Sequence, residues 1–132
     1  MIENSIRTKA LSSQGLVALI GDNFHLTENH NSKDNYILLT VIDDDTPIEI
    51  HMEDNQSEAL VQFDCYSKLP VNAKAIAKEI ESTFNKKGFV DTDVKVQLAL
   101  KNRRIPDFDT GSKLYRESYE YIFHYHNIIN EV

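Results

Sequence analysis

The apolar positions in the first part of the chain predict a split helix followed by a polar segment. Ile2 and Ile6 recur at helical spacing, and the pattern stops at a pair of serines. Ser12 and Ser13 both offer N-caps for a second short helix over residues 14–20, which Gly21 is placed to end. Residues 22–35 are polar and rich in asparagine, so a loop with at most a short strand is expected there.

Three strands are predicted in the next thirty residues. Residues 36–42 (YILLTVI) are apolar and β-branched, as in a strand covered on both faces. Residues 43–47 (DDDTP) read as a turn. Residues 48–53 then alternate between apolar and polar, which indicates a strand with one solvated face. After a second polar turn, residues 61–66 show the same alternation.

The clearest element is an amphipathic helix over about residues 71–87. Lys86 and Lys87 suit the negative end of a helix dipole, and Gly88 suits the position just after the last turn. Residues that repeat every three or four positions form its apolar stripe: Ala73, Ile76, Ala77, Ile80 and Phe84.

Two more strands are predicted near the C-terminus. Residues 94–101 alternate between apolar and polar, and residues 101–114 read as a long polar loop. The last strand covers about residues 115–126 and places its aromatic residues on one face: Tyr115, Tyr119, Tyr121, Phe123 and Tyr125. The order is helices, three strands, helix, two strands. This order predicts one α+β domain over residues 1–132: a mainly antiparallel sheet of about five strands, with an N-terminal helix and one central amphipathic helix packed on it.

Composition narrows the possible functions. The 132 residues are 41% hydrophobic and 27% charged, as in a globular domain. The net charge of −7 disfavours tight nonspecific binding to nucleic acid, because an acidic surface repels phosphates. The one cysteine, Cys65, permits no disulfide within the chain. The first residues lack the pattern of a secretion signal, and no apolar run approaches the roughly 20 residues of a membrane-spanning helix.

The candidates for metal binding or catalysis are histidines and the cysteine. His124 and His126 have the spacing of two ligands on one face of a strand, and with His25, His30 or His51 they could hold zinc. Two partly exposed histidines are the simpler interpretation. Cys65 lies on the same strand face as Val61 and Phe63, where a buried thiol is a small core residue rather than a nucleophile.

The charged segments favour contacts over catalysis. Asp43, Asp44 and Asp45 lack the spacing of an EF-hand loop, so they indicate a solvated turn or a charged surface that faces a partner or a DNA channel. Arg103 and Arg104 could contact phosphate, but two arginines near aspartates are more typical of an exposed loop or of a loop tip that contacts another protein. The aromatic face of the last strand is expected to be core or subunit interface rather than a base-stacking platform, since no basic groove accompanies it.

Several stretches in order resemble one protein family. The N-terminal helix closes with GLVALIGDN, and the apolar YILLTVI follows. ALVQFDCYS leads into an alanine-rich helix that ends in KKGF, and D-x-G and Y-R precede a final strand that ends in H-x-H-N. In this order and spacing, the chain resembles the tail-completion proteins of long-tailed phages and prophages, also called tail terminators or head–tail joining proteins. It departs from the family pattern in its acidic residues 43–45 and its hydrophilic residues 101–114.

The resemblance implies a structural virion protein rather than an enzyme, with no cofactor or metal. Such proteins form a ring, commonly of six subunits, at the head-proximal end of the tail tube. The ring terminates tail assembly and joins the tail to the head connector, so the implied partners are copies of the chain, the tail tube protein and the connector protein. DNA passes through the ring without specific binding, and no membrane is involved. The implied locations are the head–tail junction and, during assembly, the host cytoplasm.

Within this interpretation we expect two charged segments to make the subunit or partner contacts. They hold Asp43, Asp44 and Asp45 in the first and Arg103 and Arg104 in the second. The alternative function is a small cytoplasmic module that binds a metal or another ligand.

Overall fold

A computed structural model describes residues 2–26, 35–45, 57–92, 94–111 and 113–128. Within these ranges the chain forms three α-helices and one six-stranded sheet. In chain order the elements are α1 (Ile2–Ala10), α2 (Gln14–Ile20), β1 (Phe24–His25), β2 (Tyr36–Asp45), β3 (Ser57–Ser67), α3 (Pro70–Phe84), β4 (Lys87–Val90), β5 (Val94–Asp109) and β6 (Leu114–Asn127).

The strand order in the sheet is β1-β2-β3-β6-β5-β4. The short β1 runs parallel to β2, and every other neighbouring pair is antiparallel. The α+β class and the mainly antiparallel sheet are therefore confirmed, with six strands rather than about five. The edge strands β1 and β4 are only two and four residues long. Too few residues alternate in them to give a periodic signal.

The split N-terminal helix is confirmed. Ser13 caps α2, and its side chain accepts a hydrogen bond from the amide of Leu16. Gly21 ends α2 with φ of 63°, a conformation that a residue without Cβ adopts at little cost. The two helices bury their apolar stripes, which include Ile6, Leu16 and Ile20, in the core beside α3.

The core lies between the helices and one face of the sheet. Alternate residues of β3 and β6 point into it, because side chains of a strand alternate between faces. Phe63 lies at the centre of an aromatic cluster, with ring centroids 5.4 Å from Phe84, 5.5 Å from Tyr121 and 6.3 Å from Phe123. Cys65 is fully buried in the same core, as the strand pattern predicts.

The end of α3 differs from the prediction. The helix ends at Phe84 with Asn85 as its C-cap, three residues earlier than expected. Lys86 then takes a φ of 61°, so a lysine rather than Gly88 adopts the left-handed conformation. Gly88 belongs to β4, at an irregularity in the pairing with β5. A Cβ there would lie 2.5 Å from the carbonyl oxygen of Val96, so close backbone approach explains this glycine.

Replacing Gly88 with alanine is expected to lower the free energy of unfolding by about 1–3 kcal/mol, the usual cost of overpacking. The added methyl group would meet β5 backbone, which cannot rotate away. The matched control is Gly15→Ala in α2, where the methyl group meets only the flexible carboxylate of Glu79. That change is expected to be nearly neutral, since alanine favours helix. Urea unfolding of both variants checks this, and equal losses would contradict it.

The second strand is longer than predicted. Asp43, Asp44 and Asp45 were expected in a turn, yet they continue β2, with Asp43 opposite Leu60 and Asp44 opposite Ala59. A bulge between Val41 and Asp43 precedes them. Side chains at a strand end can reach solvent, so pairing with β3 tolerates their charge. Residues 46–56, which include Thr46, Pro47 and the predicted strand 48–53, lie outside the described residues.

The predicted polar loop over residues 101–114 is wrong. β5 runs without interruption to Asp109, and β6 begins at Leu114. Arg103 and Arg104 are therefore strand residues, opposite Glu120 and Tyr119 of β6. The segment lacks apolar alternation because ion pairs across the hairpin, rather than core contacts, hold its side chains.

Candidate subunit-contact surface

The sheet has two faces with different surroundings. The helix face carries the core residues of β2, β3, β5 and β6 beneath the helices. The opposite face, which we call the open face, has no helix of the described residues against it. The register places Asp43, Leu60, Ile122 and Leu100 in one row across this face. The two predicted contact segments are both part of the sheet: Asp43, Asp44 and Asp45 lie in β2, and Arg103 and Arg104 lie in β5.

Arg104 forms a bidentate ion pair with Glu117 across the β5–β6 hairpin. On the helix face, its Nε and Nη2 donate to the two carboxylate oxygens of Glu117 at 2.9 and 2.8 Å. The Glu117 side chain is only 6% exposed, whereas that of Arg104 is 44% exposed. The hydrogen bond and the negative charge of Glu117 raise the pKa of Arg104. Arg104 therefore neutralises a buried carboxylate while it presents part of its guanidinium to solvent.

Arg103 points to the open face and is far more accessible. Its side chain is 63% exposed, and its Nε lies 3.8 Å from Oε1 of Glu120. This distance is longer than a hydrogen bond, so the contact holds the guanidinium only loosely. Further along the hairpin, Nη2 of Arg116 donates to Asp107 at 2.8 Å. Of these arginines, Arg103 offers the most accessible charge for a partner.

The acidic residues of β2 divide between the two faces. Asp43 is exposed on the open face. On the helix face, the carboxylate of Asp44 accepts hydrogen bonds from the Tyr125 hydroxyl at 2.7 and 2.9 Å. Asp45 is the last residue of β2. The segment thus presents exposed negative charge at the edge of the sheet, anchored to β6 through Asp44.

The open face also holds a buried polar group that was not predicted from the sequence. Asp64 is only 5% exposed and accepts hydrogen bonds from Ser118 Oγ at 2.5 Å and Gln62 Nε2 at 2.8 Å. Burial lowers the pKa of the nearby Arg116, but its hydrogen bond to Tyr66 and the charge of Asp64 outweigh this, so the net shift is upward. Alternation in β3 places Asp64 on the solvated face, and nothing within that segment indicates that its side chain is buried.

The metal and thiol candidates are not brought together. His124 pairs loosely with Glu58 at 3.7 Å, and His126 contacts the Gln97 amide. His25 is in β1, whereas His30 and His51 lie outside the described residues. The described ranges contain no group of three or more His, Cys, Asp or Glu side chains placed to hold a metal. Burial, and then the charges of Asp64 and Glu117, raise the pKa of the Cys65 thiol, which disfavours the reactive thiolate.

Cys65 is expected to resist thiol reagents until the protein unfolds. The side chain is fully buried and its pKa is raised, so the native protein exposes almost no thiolate. In the unfolded chain the thiol has a pKa of about 8.5, and below this pH the ionisation of Cys65 does not change the free energy of unfolding. Above it, the thiol ionises more readily in the unfolded chain than in the folded protein, so the free energy of unfolding falls as the pH rises. Labelling with a chromogenic disulfide at pH 8, with and without urea, checks the prediction. Immediate labelling of the native protein would contradict it.

Removing Arg104 is expected to cost about 1–3 kcal/mol of stability, because Glu117 would remain buried without its partner. Arg104→Ala is compared with Arg103→Ala, whose loose ion pair predicts a loss below about 0.5 kcal/mol. The double variant Arg104→Ala with Glu117→Gln should recover part of the loss, since no charge is then buried. Urea unfolding measures all three, and equal effects of the two arginine variants would refute the assignment.

None of the helices in the described parts of the chain is long and apolar enough to cross a membrane. Neither a protein-family model nor a curated protein sequence matches the chain. A solved virion structure does. One such match is a chain of the virion of the native gene transfer agent (GTA) particle, with a TM-score of 0.71. The likeness covers 91% of this chain and 90% of that chain at 10% sequence identity, and at this identity it shows a shared fold alone.

Proposed function

We propose that this chain is a structural protein of a phage or phage-like virion. The observation that supports this role best is the likeness to a chain of the GTA virion, which extends over nearly the full length of both proteins. A short match could reflect a common strand–helix motif, but this one covers 91% of this chain and 90% of the other. The resemblance of the sequence to tail-completion proteins favours the same class.

Within the virion, the proposed role is that of a tail terminator. The chain forms a ring, six-membered as is common in the resembled family, at the head-proximal end of the tail tube. The ring ends tube growth and joins the tail to the head connector, while DNA passes through without specific binding. Asp43, Asp44, Asp45, Arg103 and Arg104 are the proposed subunit or partner contacts. The protein has no enzymatic role in this proposal, and it resides in the host cytoplasm until assembly.

Two features of the surface support a contact role for these residues. Arg103 and Asp43 are exposed strand residues that no core packing requires. Their backbone is also held in place, because the neighbouring side chains of Arg104 and Asp44 are hydrogen-bonded to Glu117 and Tyr125 of β6. A backbone that is already ordered lowers the entropic cost of such a contact, because only the side chains remain to be ordered.

Electron microscopy of particles from a host that lacks this gene tests the role. Full heads with unjoined or overlong tails are expected, and a plasmid copy of the gene should restore joined particles. Immunogold label at the head–tail junction should accompany the rescue. Normal particles without the gene, or absence of the chain from finished virions, would refute the proposal. A purified protein that carries stoichiometric zinc would instead support the alternative of a metal-binding module.

A further inference from the structure

Among the described residues, the second half of β5 has no neighbouring strand on its outer side. β4 pairs with β5 only as far as Ala99, and the side chain of Asn85 accepts a hydrogen bond from the Lys101 amide. Beyond that point, no strand of the described ranges lies along the outer side of residues 102–109. Backbone amides and carbonyls on such an edge can pair with a further strand.

The other side of the sheet has a second open edge. β1 pairs with β2 only at Ile37 and Leu38. Along residues 39–45, no strand of the described residues lies on that side of β2. β3 and β6 separate the two edges, so the edges lie on opposite sides of one subunit, about 14 Å apart at the usual strand spacing.

The two edges carry opposite charge on matching faces. Arg103 on the β5 edge and Asp43 on the β2 edge both point to the open face. Arg104 and Asp44 both point to the helix face. If the two edges were joined in a continuous sheet, each face would bring an arginine near an aspartate, because opposed residues of paired strands share a face.

The strand directions and the exposed apolar side chains also fit a contact between the β2 edge of one copy and the β5 edge of another. β2 and β5 run in opposite directions, since three antiparallel pairings connect them. Two copies in the same orientation would therefore pair these edges in the antiparallel manner. At the bulge of β2, Ile42 is 47% exposed. Beside the β5 edge, Pro70, Pro106 and Tyr115 contribute to the lining of a groove of about 300 Å³ on the helix face.

We propose that the β2 edge around Ile42 and Asp43 of one copy docks against the β5 edge around Arg103 of a second copy. The contact is head-to-tail: each copy uses a different edge on each side, so repetition gives a ring when the rotation closes. This inference deepens the proposed function and rests on it for closure into a ring on the tail tube. It identifies the partner of both charged segments as another subunit.

Contacts between like edges fit the structure less well. Two β2 edges would bring Asp43 and Asp44 of both copies together, and like charges in close contact are repelled. Two β5 edges would bring Arg103 of both copies to the contact, where like charges repel as well. Arg104 and Asp107 are moreover engaged with Glu117 and Arg116 of their own chain.

Cysteine crosslinking tests the contact while it leaves all five charged residues in place. Ile42→Cys and Asn102→Cys lie at exposed positions on the two edges, and the native Cys65 is buried and should not react. A mixture of the two variants, treated with a short bismaleimide at high protein concentration, should give covalent dimers. The yield should exceed that of either variant alone by about tenfold, since docking raises the effective concentration of the thiols.

The control mixture pairs Ile42→Cys with Ser82→Cys, an exposed position on α3, and should match the single variants. Thr40→Cys, also exposed on β2, replaces Ile42→Cys if thermal unfolding shows that the first variant is unstable. Strong dimers from one variant alone would reveal a contact between like edges and overturn the proposal. A mixture that matches the control would also overturn it.

A chain that carries both Ile42→Cys and Asn102→Cys tests the edge contact separately from the proposed function. In purified particles it should give a ladder of crosslinked subunits. Particles that contain the protein but yield only monomers would overturn the edge contact and leave the virion role intact. Particles without the protein would overturn the virion role, and crosslinking in solution would then still support the edge contact.

Discussion

Phe63→Ala is expected to lower the free energy of unfolding by about 3–5 kcal/mol, the usual range for removing a fully buried phenylalanine. Phe63 is completely buried, and its ring contacts aromatic residues from three other elements: Phe24 of β1, Phe84 of α3, and Tyr121 and Phe123 of β6. Its removal leaves a cavity that rings on rigid strands cannot refill. Because a domain of this size has a total stability of about 5–15 kcal/mol, the variant should be close to unfolding at 37 °C.

The matched control is Phe108→Ala, which removes the same side chain from the β5–β6 hairpin. Phe108 is 42% exposed, and the described structure places its ring beside Tyr115. A loss below about 1 kcal/mol is expected, since little apolar area returns to water. Urea unfolding followed by circular dichroism compares the two variants. Similar losses would mean that Phe63 is not the centre of the core.

The amphipathic elements could be predicted because their burial pattern is local. The apolar stripe of α3 and the alternation in β3 and β6 each show which face is buried, whatever the rest of the fold. The second N-terminal helix could also be predicted, because a serine cap and Gly21 mark its two ends by backbone chemistry rather than by packing. Such signals lie within a few residues of the structure that they determine.

The ends of β2 and β5 were missed because non-local pairing determines them. Asp43 and Asp44 are strand residues only because β3 continues alongside, opposite Leu60 and Ala59. Residues 102–109 form a strand because β6 returns antiparallel and supplies Glu117 and Glu120 as ion-pair partners. A polar segment with no alternation is typical of a loop, and its long-range partners are not visible in the segment itself.

The same limit applies to the candidate surface. The sequence indicated which charges are available for contact, since runs of like charge are visible along the chain. It could not show that Arg103 and Asp43 share a face, or that Glu117 and Tyr125 fix their neighbours Arg104 and Asp44. Those relations come from the register of β2, β3, β6 and β5. In the structure, the two charged segments thus lie on two edges of one sheet.

Charge reversal at either edge is expected to abolish joined particles without unfolding the subunit. Asp43→Lys and Arg103→Glu each replace an attractive contact by a repulsive one, which costs several kcal/mol when it occurs across an interface. Every tenfold loss of affinity corresponds to about 1.4 kcal/mol, and a ring repeats the loss at each contact. The infectious titre should therefore fall by at least about 100-fold, whereas both side chains are exposed and urea unfolding should shift by less than about 0.5 kcal/mol.

Restoring the charge pair provides the control. The double variant Asp43→Lys with Arg103→Glu restores opposite charges at every contact, so joined particles should reappear. Coexpression of the two single variants should also restore them, since the introduced lysine of one copy can then face the introduced glutamate of the next in an alternating ring. An interface between like edges would respond to only one of the two reversals. If each reversal abolishes joining and neither combination restores it, these residues face another virion protein rather than each other.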